Sequence, residues 1–361
     1  MPSRLRIAQI APLWTTVPPK KAGGTERIVA SLCNLLADRG HEVTLFAAAG
    51  SNTKATLIPG YPQTLLDAGI GWDNNVWTLK NVSTAYTLSK KGAFDIIHNH
   101  TDMWGFFFAA LHATPTLHTV HNRVIPVPPS SAGDTIDAAR YDLYQEYRQQ
   151  LNFAFISESA RAQSQLDFPK SRIVYNGIDL SPFAFREKPD EYFAWVARLD
   201  DYKGAEQAIA ACEKLGVRLK MAGPIDKLKQ SYFEQRIKPH LNDRIEHLGE
   251  LTSQELSDLY GGARALLFPI SWEEPFGLVV VEAMACGTPV IAYNRGSMPE
   301  LIQNGINGFV IDSDLDALIQ TMQQTKDISR ASCRASVVKN FSEEHMVEAY
   351  EKYYYDILAK K

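Results

Sequence analysis

Ser271-Trp-Glu-Glu-Pro-Phe-Gly-Leu-Val-Val-Val-Glu-Ala-Met-Ala-Cys-Gly-Thr-Pro-Val290 is the stretch whose reading decides the fold. It runs from the end of an apolar strand, 265–269, through a helix expected from Gly277 into the next strand, 289–292. Working outward, strands are expected at 192–196, 218–222 and 246–248, with helices from Ala205 and over 253–261. The first half shows the same alternation: a strand at 5–11, a helix at 25–39 closing on Gly40, and strands at 43–48, 95–98, 116–120, 153–157 and 172–175. Strands that alternate with helices in this way predict parallel sheets with helices on both faces.

The aperiodic stretch 179–190, holding Pro182 and Pro189, reads as a linker. The expected organisation is a first domain over 1–178, a linker at 179–190, a second domain over 191–341 and a C-terminal helix over 342–361. At 361 residues the chain is long enough for two cores. Its 37 basic and 41 acidic residues give a net charge of −4 with no long run of one sign, which argues against nucleic acid as a partner. The four cysteines are far apart and read as buried thiols in a reducing compartment. The longest apolar run, 103–111, is about half of what a membrane span needs, so no transmembrane segment is expected and only peripheral membrane contact stays open. The N-terminal residues run straight into a strand without a signal-peptide pattern, so the expected location is the cytoplasm, where the sequons at Asn81 and Asn340 carry no meaning.

Four groups of residues could carry chemistry. Glu274 and Glu282 bracket Phe276-Gly277-Leu278-Val279. On one helix their eight-residue spacing would give about 12 Å of rise, more than glycosidase carboxylates tolerate. They would instead hold two ends of one long ligand, with Glu282 two turns inside the helix and a helix N-terminus at Gly277 suited to phosphate. Taken singly, Glu274 decorates a helix start and Glu282 is a solvated helix residue. Arg198 and Lys203 follow a strand and precede a helix, where open sheets bind ligands, and such a cation pair suits a departing diphosphate. Gly23-Gly24-Thr25-Glu26 opens the first helix and would admit a ligand close to the backbone. His98, His100, His118 and His121 cluster around two strand ends; a metal site there is weaker than a helical His pair would be, and His112 and His118 read as packed or solvent-facing. Asp312-Ser313-Asp314 reads as a helix cap rather than a metal-binding pair. The dinucleotide glycine fingerprint and the P-loop are both absent.

Together, Gly23-Gly24-Thr25-Glu26, Val174-Tyr-Asn-Gly-Ile-Asp179, Arg198 with Lys203-Gly204, and Glu274-Pro-Phe-Gly-Leu-Val-Val-Val-Glu282 resemble the retaining glycosyltransferases of family four, over nearly the whole chain. The resemblance implies the GT-B architecture: an α/β fold of two Rossmann-like domains with parallel sheets facing across a cleft, and a last helix crossing back to the first domain. It implies that the second domain binds a nucleoside-diphosphate sugar and the first a carbohydrate, lipid-linked or small-molecule acceptor. Glu282 would bind ribose hydroxyls, Glu274 the transferred sugar, and Arg198 and Lys203 the diphosphate. Gly24, beside Gly23, would offer its N–H to the β-phosphate, and His121 would reach the donor sugar. Phe276, Gly277, Leu278 and Val279 would belong to the same nucleotide-sugar site. Asp200-Asp201-Tyr202 departs from relatives that carry a proline and an acidic residue there.

The activity implied is metal-independent, retaining transfer of a hexose to an acceptor hydroxyl, with no cofactor and a UDP-sugar as the first donor to consider. The alternatives are a sugar phosphorylase or nucleotide-sugar epimerase of the same architecture, or a non-catalytic nucleotide-sugar-binding protein. A nicotinamide oxidoreductase is disfavoured by the missing fingerprint. The irregular stretch 125–137 is expected to be an acceptor loop.

Overall fold

The computed structural model describes residues 4–21, 23–72, 74–126 and 135–360; most of the expected acceptor loop lies outside them. Two compact units are present, one comprising residues 1–177 with 343–361, the other 178–342.

The first unit is built on β1 (Arg6–Ile10), β2 (Glu42–Ala48), β3 (Thr56–Tyr61), β4 (Ile96–Asn99), β5 (Thr116–Val120), β6 (Asn152–Phe155) and β7 (Ser171–Ile173). They form one parallel sheet in the order β3-β2-β1-β4-β5-β6-β7. β3 was not expected; it holds Pro59 and Gly60, and a proline is tolerated there because β3 is an edge strand. The helix Gly24–Asp38 buries Ile28, Val29, Leu32, Cys33 and Leu36 on one face. The C-terminal helix, Glu343–Ala359, belongs to this first unit, burying Met346, Val347, Tyr350, Tyr353, Tyr354 and Ile357.

The second unit carries β8 (Tyr192–Val196), β9 (Arg218–Ala222), β10 (Ile245–His247), β11 (Leu266–Phe268), β12 (Val290–Tyr293) and β13 (Gly308–Ile311), parallel in the order β10-β9-β8-β11-β12-β13. Its core centres on Trp195, Leu219, Met221, Leu267 and Ile291, all inaccessible to solvent. The stretch 179–190 has no helix or strand and packs into this unit. The buried Arg330 guanidinium fixes it by donating to the carbonyl of Arg186 at 2.6 Å, and to those of Gly261 and Ala263 at 2.8 and 2.9 Å. Asp314 caps the helix Leu315–Met322 by accepting from the Ala317 N–H, the capping role expected of this segment. All four cysteines are free and buried, and burial pushes their thiols up, Cys33 to about 12 and Cys286 to about 11.

In each sheet the strand order reverses direction once, between β1 and β4 and between β8 and β11. Loops leaving the C-terminal ends of such strand pairs splay apart and leave a crevice for ligands.

Candidate functional site

In the second unit, Arg198 and Lys203 lie just beyond β8, and Glu274 lies beyond β11, so all three occupy the loops at the reversal point. The Lys203 ammonium donates to Glu274 Oε2 at 2.6 Å, and the Trp272 indole N–H donates to the same oxygen at 2.9 Å. Lys203 also stands over the Trp272 ring, 4.3 Å from its centroid. Both charged side chains are largely buried, at 14% and 15% exposure, so their attraction is screened far less than on the surface. Lys203 is aimed by its own backbone: its carbonyl accepts the Trp195 indole N–H at 3.0 Å, and the neighbouring Tyr202 carbonyl accepts the Ser271 N–H at 2.9 Å.

Arg198 is different. Its side chain is 53% exposed, steadied by the Tyr202 hydroxyl at 2.9 Å and by Asp200 at 3.5 Å. Asp200 is buried in turn and paired with Lys229 at 2.7 Å. Burial works to raise its carboxyl, but the Lys229 and Tyr202 hydrogen bonds outweigh that and hold it below the ordinary range. The Asp-Asp-Tyr departure therefore forms a short 3-10 turn, Asp201–Lys203, that supports the two cations.

Glu274 is not on a helix. The helix spans Leu278–Ala285, with Gly277 as a left-handed N-cap at φ 92°, so the rise estimated for two glutamates on one helix does not describe them. Glu282 is the fifth helical residue, one turn in rather than two. It is 3% exposed and accepts from the Tyr260 hydroxyl at 3.1 Å, which overturns its reading as a solvated residue. Phe276 is buried against Phe341, while Leu278 and Val279 are partly exposed at the helix start. Sequence reasoning missed the segment that holds this loop down. Ser297 donates its N–H to the Glu274 carbonyl at 3.0 Å and its hydroxyl to the Phe276 carbonyl at 2.6 Å. A Cβ on Gly296 would meet that Glu274 carbonyl oxygen at 2.1 Å, so only glycine allows the approach. The signal was present as a Gly-Ser pair just after β12.

In the first unit, Gly23 and Gly24 lie at the start of the helix that follows β1, with Gly24 exposed. A Cβ on Gly23 would strike Pro19 at 2.8 Å. Glu26 is buried beside them, and burial pushes its carboxyl up against the pull of its own backbone N–H and the Thr15 hydroxyl. His121 follows β5, and its Nε2 lies 2.9 Å from Nδ1 of His100, which follows β4. Burial lowers the His121 imidazole to about 4, with Asp102 pulling the other way, so it is neutral at physiological pH. His118 is buried within the apolar cluster, and burial lowers it to about 3. Among the described residues no three His, Cys, Asp or Glu side chains gather as a metal-binding group, and no helix is long and apolar enough to cross a membrane.

Residues 22–182 match the family described as Glycosyltransferase Family 4, and residues 179–335 the family described as Glycosyl transferases group 1. The D-inositol 3-phosphate glycosyltransferase of Mycolicibacterium smegmatis is 29% identical over 371 residues, spanning 91% of this chain and 85% of the relative. Sucrose-phosphate synthase from Thermosynechococcus elongatus has the same fold, with a TM-score of 0.80 and 23% identity over 98% of this chain and 99% of that one. Anabaena HepE, solved in complex with UDP-glucose, follows at a TM-score of 0.73 and 18% identity over 99% and 100%. Two parallel Rossmann-like sheets in this arrangement are the GT-B architecture of glycosyltransferases. The chain belongs to glycosyltransferase family four.

Proposed function

We propose that this glycosyltransferase moves a hexose from a nucleoside-diphosphate sugar to an acceptor hydroxyl with retention of anomeric configuration, without a metal or cofactor. The observation that carries the reading is the cation pair at the reversal point, with Lys203 held at 2.6 Å from Glu274 and Arg198 open to solvent beside it. Breaking the bond between anomeric carbon and phosphate leaves an oxocarbenium-like sugar and a diphosphate that gains charge. Fixed cations in a partly buried site stabilise that charge as it develops. The diphosphate would take over the Lys203 ammonium, and the released Glu274 carboxylate would accept from hydroxyls of the transferred sugar. The helix N-terminus at Gly277 would add its dipole, Glu282 would hold the ribose, and Gly24 N–H and His121 would act from the first unit on the β-phosphate and the sugar.

A UDP-sugar is the first donor to test, in line with the UDP-glucose bound by HepE. A polyol phosphate is the first acceptor, in line with the name of the Mycolicibacterium relative. The buried free thiols fit a reducing compartment such as the cytoplasm. A thermal-shift screen against UDP, GDP, ADP and TDP identifies the base, because a ligand at 100 times its dissociation constant stabilises by about 2.7 kcal/mol. Transfer in the presence of a chelator, with the product anomer read by NMR, then tests the reaction. Turnover without any acceptor would replace this reading with an epimerase, and binding without turnover on any acceptor would replace it with a nucleotide-sugar-binding protein.

A further inference from the structure

We propose that Tyr354, on the C-terminal helix, is a positioning residue that sets the tautomer and orientation of His121 through a one-directional chain of buried hydrogen bonds. The inference rests on the placement of His121 at the donor sugar.

Among the polar residues on the central strands of the first sheet are Gln9 on β1, His98 on β4 and Thr119 on β5. Gln9 and His98 are direct register partners. All three, with His100, Tyr350 and Tyr354, are at most 3% exposed, so each polar atom needs a partner within the protein. His121 Nε2 lies 2.9 Å from His100 Nδ1, and His100 Nε2 lies 2.9 Å from Gln9 Oε1. Gln9 Nε2 donates to the Tyr354 hydroxyl at 3.1 Å, and that hydroxyl lies 2.7 Å from His98 Nδ1. His98 Nε2 lies 2.7 Å from Thr119 Oγ1, which lies 3.1 Å from the Tyr350 hydroxyl.

The amide fixes the direction. Gln9 Oε1 only accepts, so His100 carries its hydrogen on Nε2 and offers a lone pair at Nδ1. Burial lowers His98 and His100 well below the ordinary histidine range, so neither carries a second proton. His121 must therefore donate from Nε2, leaving Nδ1 as the only acceptor on its ring, a match for a sugar hydroxyl. At the other end Gln9 Nε2 needs an acceptor, which Tyr354 supplies while passing its own hydrogen to His98. From His121 through His100 and Gln9 to Tyr354 each member donates once in the same direction; Tyr354 places its own hydrogen by donating to His98 Nδ1, and between Thr119 and Tyr350 either hydroxyl can donate. A third tyrosine of that helix, Tyr353, stands outside the chain, its hydroxyl donating to the Lys170 carbonyl at 2.9 Å.

The test uses the full-length enzyme. Heteronuclear NMR of histidine-labelled wild type should show His98, His100 and His121 all protonated at Nε2. Tyr354→Phe should lower kcat by about tenfold or more with the donor KM nearly unchanged, and should mix the tautomers of His100 and His121. Tyr353→Phe, which removes a hydrogen-bonded hydroxyl from the same helix outside the chain, should keep both kcat and the tautomers. A wild-type spectrum with His100 protonated at Nδ1 overturns the proposal, even if Tyr354→Phe does not fold. Wild-type kcat in Tyr354→Phe, beside an inactive His121→Ala, overturns the positioning role alone; full activity in His121→Ala removes the placement of His121 and the proposal with it.

Discussion

Lys203 and Glu274, distant in sequence, meet at 2.6 Å in the second unit, and the ammonium is thereby neutralised before any phosphate arrives. A ligand phosphate must compete with that carboxylate, which gives the two partners opposite signatures.

Lys203→Ala should lower turnover on the order of 10²–10³-fold, the loss expected for a group that stabilises developing charge. Arg198→Ala should fall in the same range, whereas Tyr202→Phe, which removes only the hydroxyl steadying Arg198 at 2.9 Å, should cost about tenfold or less. Steady-state kinetics decide, and wild-type rates in folded Lys203→Ala remove the cation from the reaction.

On the proposed sugar-holding role of Glu274, Glu274→Gln frees the Lys203 charge and weakens the hold on the sugar. Nucleoside diphosphate should therefore bind as tightly as to wild type or more tightly, while donor turnover drops by the equivalent of about 1–3 kcal/mol. On the proposed ribose-binding role of Glu282, Glu282→Gln should weaken nucleoside diphosphate and full donor alike, because both contain ribose. Calorimetric titration of the two variants separates these roles, and equal weakening by both substitutions would refute the division.

Stability of the first unit should fall in mild acid. Burial lowers His121 to about 4 and His118 to about 3, and pushes His98 and His100 well down too. For a lowered histidine the unfolded chain takes up the proton first. The stabilisation is thus complete above the unfolded value near 6.5 and is lost as pH falls from there towards the folded values. Each group contributes a slope of up to about 1.4 kcal/mol per pH unit across that window. Urea midpoints measured from pH 7 down to pH 4.5 should decline steadily, and a flat profile counts against neutral, buried histidines.

Arg330→Met should destabilise the second unit by about 2–5 kcal/mol. The methionine fills the volume but leaves the carbonyls of Arg186, Gly261 and Ala263 without their donor. Unchanged urea unfolding in this variant would mean that water replaces the guanidinium.

Much of this was legible in the residue order. The strands expected at 116–120, 192–196 and 218–222 lie at those limits in the structure. The sequence motifs also put Arg198, Lys203 and Glu274 in loops, where they lie. What stayed hidden depends on contacts between segments far apart in the chain. Glu282 reads as solvated because acidic residues usually are, until Tyr260 from another helix covers it. Lys229 falls in a stretch without periodicity, so nothing local ties it to Asp200. Gln9, His98 and Thr119 are polar residues in apolar strands, and their shared purpose emerges only when the sheet order sets β1, β4 and β5 side by side.

Tyr350 and Tyr354 are translated after the whole second unit, yet Tyr354 completes a hydrogen bond with Gln9 on β1 and Tyr350 one with Thr119 on β5. The first unit, although it begins emerging from the ribosome first, has Gln9 and His98 without the Tyr354 hydroxyl until the helix Glu343–Ala359 has emerged. On the proposed role of Tyr354, a chain halted before that helix would carry His121 without the hydrogen-bond chain that orients it.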